Sequence, residues 1–224
     1  MNNKKLIVFD VGNTLIETKR GIFISESVLK DLFSLREMGY ILGLSTLRTE
    51  KMLAPILAQF RFDFLILMNG GLVIINEKTV FSMPLEPDTV ERIRLQASDC
   101  QVKVIEYARL GEIYALELPS AKNIFQPDET YQYYVWEKSG NIDITRTGVT
   151  KSRGFEIACL HYGVSPSDTI AFGDGYNDID MLSMAGISVA MGGAPEEVAR
   201  VATITTAAAA DDGISLALRE LGIL

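Results

Sequence analysis

The residues of this sequence best placed for chemistry are carboxylates that follow short apolar runs. Phe9-Asp10-Val11-Gly12-Asn13-Thr14-Leu15 carries an apolar run into an Asp and then into a glycine-containing turn. Gly173-Asp174-Gly175-Tyr176-Asn177-Asp178 does the same after Thr169–Phe172. In an open parallel sheet the ligand crevice lies beyond the carboxyl ends of the strands, so an Asp there meets a ligand with free backbone amides beside it. Paired carboxylates among glycines suit a hard cation such as Mg²⁺, which takes oxygen ligands and keeps phosphate and water in its shell. Each has a purely structural alternative: Asp10 as a turn cap, Asp178 as a helix N-cap, Asp174-Gly175 as a hairpin turn.

Two further segments can complete such a site. Lys151 begins an expected helix, where the dipole favours anions, so a lysine there is electrostatically out of place. Lysine together with helix N-terminal amides forms a phosphate site; the alternative is a solvated surface lysine. Ser45-Thr46-Leu47-Arg48 closes an apolar run, and its hydroxyl and amides can hold a phosphate oxygen or simply form a loop.

The elements that must position these residues follow from hydrophobic periodicity. Leu6–Val11, Tyr40–Ser45 and Phe64–Met68 read as strands, with helices over Ser27–Met38 and Glu50–Phe60 between them. The alternation resumes after Thr150: helix Ser152–Tyr162, strand Thr169–Phe172, a helix from Asp178, strand Ile187–Ala190 and helix Gly213–Leu221. One parallel sheet is therefore split in sequence, with a core over 1–80 and 147–224. Residues 81–146 differ in texture. They carry tyrosine-rich alternating runs such as Val102–Tyr107 and Ile113–Leu118, with prolines at 84, 87, 119 and 127, and read as an inserted α+β cap. Tyr131, Tyr133, Tyr134 and Trp136 suit the packed face of a cap strand better than a sugar or aromatic pocket.

Composition bounds the partners. With 224 residues, 48% of them hydrophobic, the chain can bury a full core, and its net charge of −8 offers no basic field for nucleic acid. The two cysteines, Cys100 and Cys159, lack metal or redox spacing, which fits a reducing cytoplasm. No apolar run reaches the length of a membrane span, and the start carries no signal-peptide pattern. Oligomeric state leaves no mark. His161, the one histidine, sits at a helix end, where the dipole favours its charged form.

Taken in order, Asp-x-x-x-Thr-Leu, a strand-terminal Thr, a Lys and Gly-Asp-Gly-x-Asn-Asp resemble the haloacid dehalogenase-like superfamily of phosphatases. Phe172 to Met181, Val189-Ala-Met-Gly192, Ala194-Pro-Glu-Glu-Val198 and Asp212-Gly213 look closest to its Cof-type branch, as does Asn69-Gly70-Gly71. The resemblance covers both core halves and leaves the cap unmatched in detail. It implies a doubly wound, Rossmann-like α/β core and a Mg²⁺-dependent hydrolase of a small phosphorylated metabolite. Asp10 would attack phosphorus and become an aspartyl-phosphate. Thr46, Lys151, Asn177 and Asn13 would meet the phosphorylated substrate. Asp10, Asp174, Asp178 and the Gly12 carbonyl would hold the metal.

One position departs from the pattern. Where the family carries a second Asp two residues after the nucleophile, as acid and then base, this chain has Gly12. Glycine keeps the carbonyl but has no proton to give, and that help is typically worth about 10²–10⁴ in rate. Asn13 also replaces the family's usual glycine, and its side chain cannot act as a base at neutral pH. Three readings stay open: a substrate with a good leaving group, such as an acyl phosphate; an acid borrowed from Glu17, Glu106 or Glu112; or a regulatory protein that binds a phosphorylated ligand without turning it over. A phosphonate-cleaving or phosphoryl-transfer variant is a further alternative.

Overall fold

The computed structural model describes residues 5–136 and 139–224. Strand β1 (Leu6–Phe9) leads through helix α1 (Glu26–Glu37), β2 (Ile41–Ser45) and α2 (Glu50–Leu57) to β3 (Phe64–Leu67). An antiparallel pair follows, β4 (Leu72–Ile75) and β5 (Lys78–Ser82). Next come α3 (Pro87–Asp99), β6 (Ile105–Arg109), β7 (Glu112–Leu118), β8 (Tyr131–Trp136) and β9 (Asn141–Arg146). The chain then returns through α4 (Lys151–Tyr162), β10 (Thr169–Gly173), α5 (Ile179–Met184), β11 (Ile187–Ala190), α6 (Glu196–Val201), β12 (Ile204–Thr205) and α7 (Gly213–Glu220).

The large sheet has the order β12-β11-β10-β1-β2-β3-β4-β5. It is parallel from β12 to β3 and antiparallel across β3-β4-β5. The split sheet expected from the sequence is therefore present, with an antiparallel edge that the periodicity did not reveal. All four residues of β1 are buried, because the sheet is covered on both faces. Ile7 and Phe9 pack toward the cluster that includes Leu32 and Leu35 of α1 and Ile214, Ala217 and Leu218 of α7. Leu6 and Val8 point the other way, toward Phe155 and Ala158 of α4, Met181 and Leu182 of α5 and Val198 of α6. Cys159 belongs to this second cluster, as expected for a core thiol. Helix α2 stops at Leu57, short of the expected Phe60, because Phe60 turns inward to pack edge-on against Phe62, with ring centroids 4.9 Å apart.

A second, antiparallel sheet, β6-β7-β9-β8, stands over the carboxyl ends of the large one. Leu116, Leu118, Ile142 and Ile144 share a core with Val90, Ile93 and Ala97 of α3. Strand alternation then turns Glu117, Asp143 and Trp136 to the opposite face, away from α3. No helix among the described residues is long and apolar enough to cross a membrane.

The two chain crossings between the sheets meet at one point. Met83 donates its amide to the Gly71 carbonyl at 2.8 Å. Gly70, at φ +101°, lies so close to the N-terminus of α4 that a Cβ there would fall 2.0 Å from the Thr150 carbonyl oxygen. Gly148, at φ +81°, has open space instead. Gly70→Ala is expected to cost about 3 kcal/mol or more, through backbone strain plus a clash with main chain. Gly148→Ala, with the strain alone, is expected to cost about 1 kcal/mol. Chemical denaturation of the two variants measures the difference, and equal losses would refute the close approach.

Candidate active site

Each expected site residue sits at the carboxyl edge of the large sheet or at a helix start facing it. Asp10 follows β1, and its amide bonds to the Phe172 carbonyl of β10 at 2.9 Å, fixing the two acidic loops side by side. Thr46 follows β2; its amide donates to Ile66 and its carbonyl accepts from Asn69, so the adjacent β3 loop is tied to it. Gly173 makes room for Asp178: a Cβ there would lie 2.6 Å from the Asp178 carboxyl carbon.

Lys151 is the centre of the arrangement. It is wholly buried, and its Nζ lies 2.6 Å from Asp10 Oδ1 and 2.6 Å from Asp178 Oδ1. The start of α4 is held in place around it. Thr150 Oγ1 accepts from the Arg153 amide, and Ser152 Oγ donates to Asp180 at 2.7 Å. Desolvation disfavours the ammonium, but the two carboxylates outweigh it and hold its pKa above the usual lysine range. The out-of-place lysine at a helix start thus finds its reason in two buried anions.

Asp178 does more than cap a helix. Its Oδ2 accepts from the amides of Asp174 and Gly175, at 3.0 and 2.9 Å, while Oδ1 meets Lys151. Thr14 Oγ1 lies 3.3 Å from Asp174 Oδ1. Asn177 Nδ2 donates to Asn69 Oδ1 at 2.8 Å, so the Asn-Gly-Gly segment supports the acidic loop directly. Asn69 Nδ2 and Ser45 Oγ, beneath this floor, are buried without partners.

Carboxylate oxygens of Asp10, Asp174 and Asp178 lie within 4.8 Å of one another. Three carboxyls against one ammonium leave excess negative charge in a desolvated place. Burial, with Asp10 and Asp178 adding to it, pushes Asp174 up to about 8. Burial likewise raises Asp178 to about 6, against the pull of Lys151. An all-oxygen set with surplus negative charge is the environment a divalent metal needs.

The open space lies between the sheets. An inner cavity of about 290 Å³ is bordered by Asp10, Gly12, Thr46, Asp174 and Asn177. A neighbouring cavity of about 590 Å³ shares Asn13, Arg48, Trp136 and Asp174 with it and extends to Glu117 and Asp143. Asn13, at φ +56°, stands in the left-handed region at the rim. Lys151 and Asp178 lie behind the wall, so the lysine reaches the cavity through Asp10.

Several expectations change here. Glu106 is engaged by Arg94 at 2.6 Å, Glu112 accepts from Tyr114 and Glu17 accepts from the Lys19 amide; none of the three borders either cavity. Glu117 and Asp143 do, and the sequence reading missed both as cavity groups; Arg48 does too, in a segment singled out for its hydroxyl and amides rather than for its guanidinium. For Glu117 and Asp143 a signal existed, since strict alternation in β7 and β9 places them opposite the apolar face. Trp136 borders both cavities, whereas Tyr131 and Tyr133 pack on the apolar side as expected. His161 is exposed in the last turn of α4, outside both cavities.

The family described as haloacid dehalogenase-like hydrolase matches residues 7–132 and 114–218. YkrA of Bacillus subtilis (strain 168) is 27% identical, with 99% of each chain covered. The phosphoglycolate phosphatase of Methanopyrus kandleri is 25% identical over 96% of each chain. Among solved structures, the subclass IIB sugar phosphatase BT4131 shares the fold with a TM-score of 0.88 at 24% identity, covering 99% of this chain and 100% of the other.

Removing the ammonium strands two buried carboxylates, so Lys151→Met is expected to lose about 3–5 kcal/mol in chemical denaturation. A loss below about 1 kcal/mol would mean the triad is already solvated. Asp174 and Asp178 bind protons more tightly folded than unfolded, where aspartate titrates at about 3.9. Their contribution to stability is therefore full below about pH 4 and lost as pH rises through about 6 and about 8. With divalent cations chelated, the melting temperature is expected to fall between roughly pH 5 and 8, and Asp174→Asn to flatten the slope. A melting temperature that rises across that window contradicts the assignment.

Proposed function

The chain belongs to the haloacid dehalogenase-like hydrolases, and we propose that it is a Mg²⁺-dependent phosphatase of a small phosphorylated metabolite, with Asp10 as nucleophile. The observation that carries this is the pair of contacts Lys151 makes, 2.6 Å to Asp10 and 2.6 Å to Asp178, behind the wall of a cavity bordered by oxygen donors. A carboxylate cannot approach a phosphate dianion unless positive charge offsets their repulsion. Lys151 supplies part of that charge and aims one Asp10 oxygen away from the cavity, which leaves the other for phosphorus.

The three-carboxylate cluster and the Gly12 carbonyl would hold Mg²⁺, which when bound supplies the remaining positive charge against the phosphoryl oxygens. Thr46 is placed at the cavity wall to donate a hydroxyl hydrogen bond to the phosphoryl group. Asn177, kept in position by Asn69, borders the same cavity. The segment 81–146 acts as the cap, its polar face closing over the substrate and excluding water. The cavities, about 290 and about 590 Å³, are of the size that takes a small metabolite.

A phosphatase acting through Asp10 forms a covalent aspartyl-phosphate and then hydrolyses it, two displacements of lower barrier than one. The absence of a carboxyl at Gly12 favours one rival: a phosphate-binding protein with little turnover. The two separate in an assay of p-nitrophenyl phosphate and acetyl phosphate. Mg²⁺-dependent release of inorganic phosphate is expected, abolished by a chelator and lowered at least about 10³-fold by Asp10→Asn. A native chain that binds phosphate but releases none from either compound would establish the rival.

A further inference from the structure

Gly12 removes the acid from its family position, yet a carboxyl borders the adjoining cavity. We infer that Asp143, on β9 of the upper sheet, is the catalytic acid and base that replaces it, an inference that rests on the phosphatase reading above.

The placement follows from strand alternation. Ile142 and Ile144 are buried against α3, so Asp143 must face the other way, and it borders the cavity that also contains Asn13 and Asp174. Its residue is only 1% exposed. Trp136 Nε1 donates to Asp143 Oδ2 at 2.6 Å, and among the described residues no other hydrogen bond holds the carboxyl. Oδ1 is left for a ligand.

The environment favours a carboxyl that carries a proton near neutrality. Glu117 stands directly opposite Asp143 across β7 and β9, and two like charges in that relation repel. Tyr107 and Asn141 both donate to Glu117, at 2.6 and 3.5 Å, which stabilises the charge there rather than on its neighbour. Burial pushes Asp143 up to about 7; the Trp136 N–H and the Lys151 ammonium oppose this and the Glu117 charge adds to it.

Direction agrees as well. In a phosphoryl transfer the attacking and leaving oxygens lie in line on opposite sides of phosphorus. Asp10 attacks from the inner cavity, and the leaving oxygen points away from it, toward the adjoining cavity that Asp143 borders. As the bond from Asp10 to phosphorus forms, the bond from phosphorus to the substrate oxygen breaks. The electron pair stays on that oxygen, which takes the Asp143 proton. The Asp143 carboxylate then takes a proton from the water that attacks the aspartyl-phosphate, releasing inorganic phosphate and restoring both side chains. A Cβ at position 12 would meet only Thr18 Oγ1, at 3.6 Å, so the family's own solution can be built back in for comparison.

The test uses the full chain with Mg²⁺ and a series of aryl phosphates, from p-nitrophenyl phosphate, whose leaving group needs little acid, to phenyl phosphate, whose leaving group needs more. Asp143→Asn keeps an acceptor for Trp136 and is expected to lower kcat/KM, which reports transfer to Asp10, about 100-fold on phenyl phosphate and less than about 10-fold on p-nitrophenyl phosphate, while loss of the base slows hydrolysis of the common aspartyl-phosphate and lowers kcat on both. Adding Gly12→Asp to that variant is expected to recover at least about 10-fold on phenyl phosphate. An equal loss of kcat/KM on both substrates, or a higher KM with kcat unchanged, overturns the proposal and makes Asp143 a substrate-binding group. Gly12→Asp alone provides an arm that does not depend on the folding of Asp143→Asn. Little gain on phenyl phosphate is expected, and a gain of about 100-fold would mean that the native chain has no acid. A native chain inactive even on p-nitrophenyl phosphate fails the phosphatase reading itself, whereas activity with an unselective Asp143→Asn fails only the acid.

Discussion

A primary ammonium without solvent contact and two carboxylates 2.6 Å from it make a charge arrangement that water would dissolve and a protein interior must hold by force of packing. Much of the core is organised around keeping it dry and rigid. Gly173 leaves room for the Asp178 carboxyl, and the amides of Asp174 and Gly175 take its second oxygen. Ser152 and Asp180 pin the start of α4, so that Lys151 enters from a fixed direction.

The doubly wound core was legible because its signals are local. Strands buried on both faces read as continuous apolar runs, and the acidic loops follow those runs immediately, so Asp10, Thr46, Asp174 and Asn177 could be put on one crevice from order alone. What order could not supply was depth. Lys151 was expected to hold a phosphoryl oxygen; its ammonium is buried against Asp10 and Asp178, a depth that order does not give. The antiparallel edge β4-β5 was hidden for a similar reason: Leu72–Ile75 is apolar throughout and gives no sign of strand direction.

The upper sheet was legible as strands but not as a surface. Its alternation told which residues share a face, but nothing in the sequence said which face α3 would cover. That choice was made by helix packing, through Val90, Ile93 and Ala97. Once α3 takes the apolar side, Glu117, Asp143 and Trp136 have only the crevice left to face. The glutamates singled out from sequence, Glu17, Glu106 and Glu112, were chosen by residue type alone, and each is occupied elsewhere by local contacts.

The outgoing crossing at Met83 and the returning one at Thr150 both abut Gly70-Gly71, so both connections of the upper sheet run past one place. Arg146 stands at that end of β9 and pairs with Tyr131, while Trp136 and Asn141 form the far end of the β8–β9 ladder. At the usual strand rise Trp136 is ~17 Å out along this ladder and Asp143 ~10 Å. The buried charges are therefore held near the crossings by contacts of the large sheet and α4, whereas Glu117, Asp143 and Trp136 stand farther out on one shared strand ladder and keep one fixed spacing among themselves.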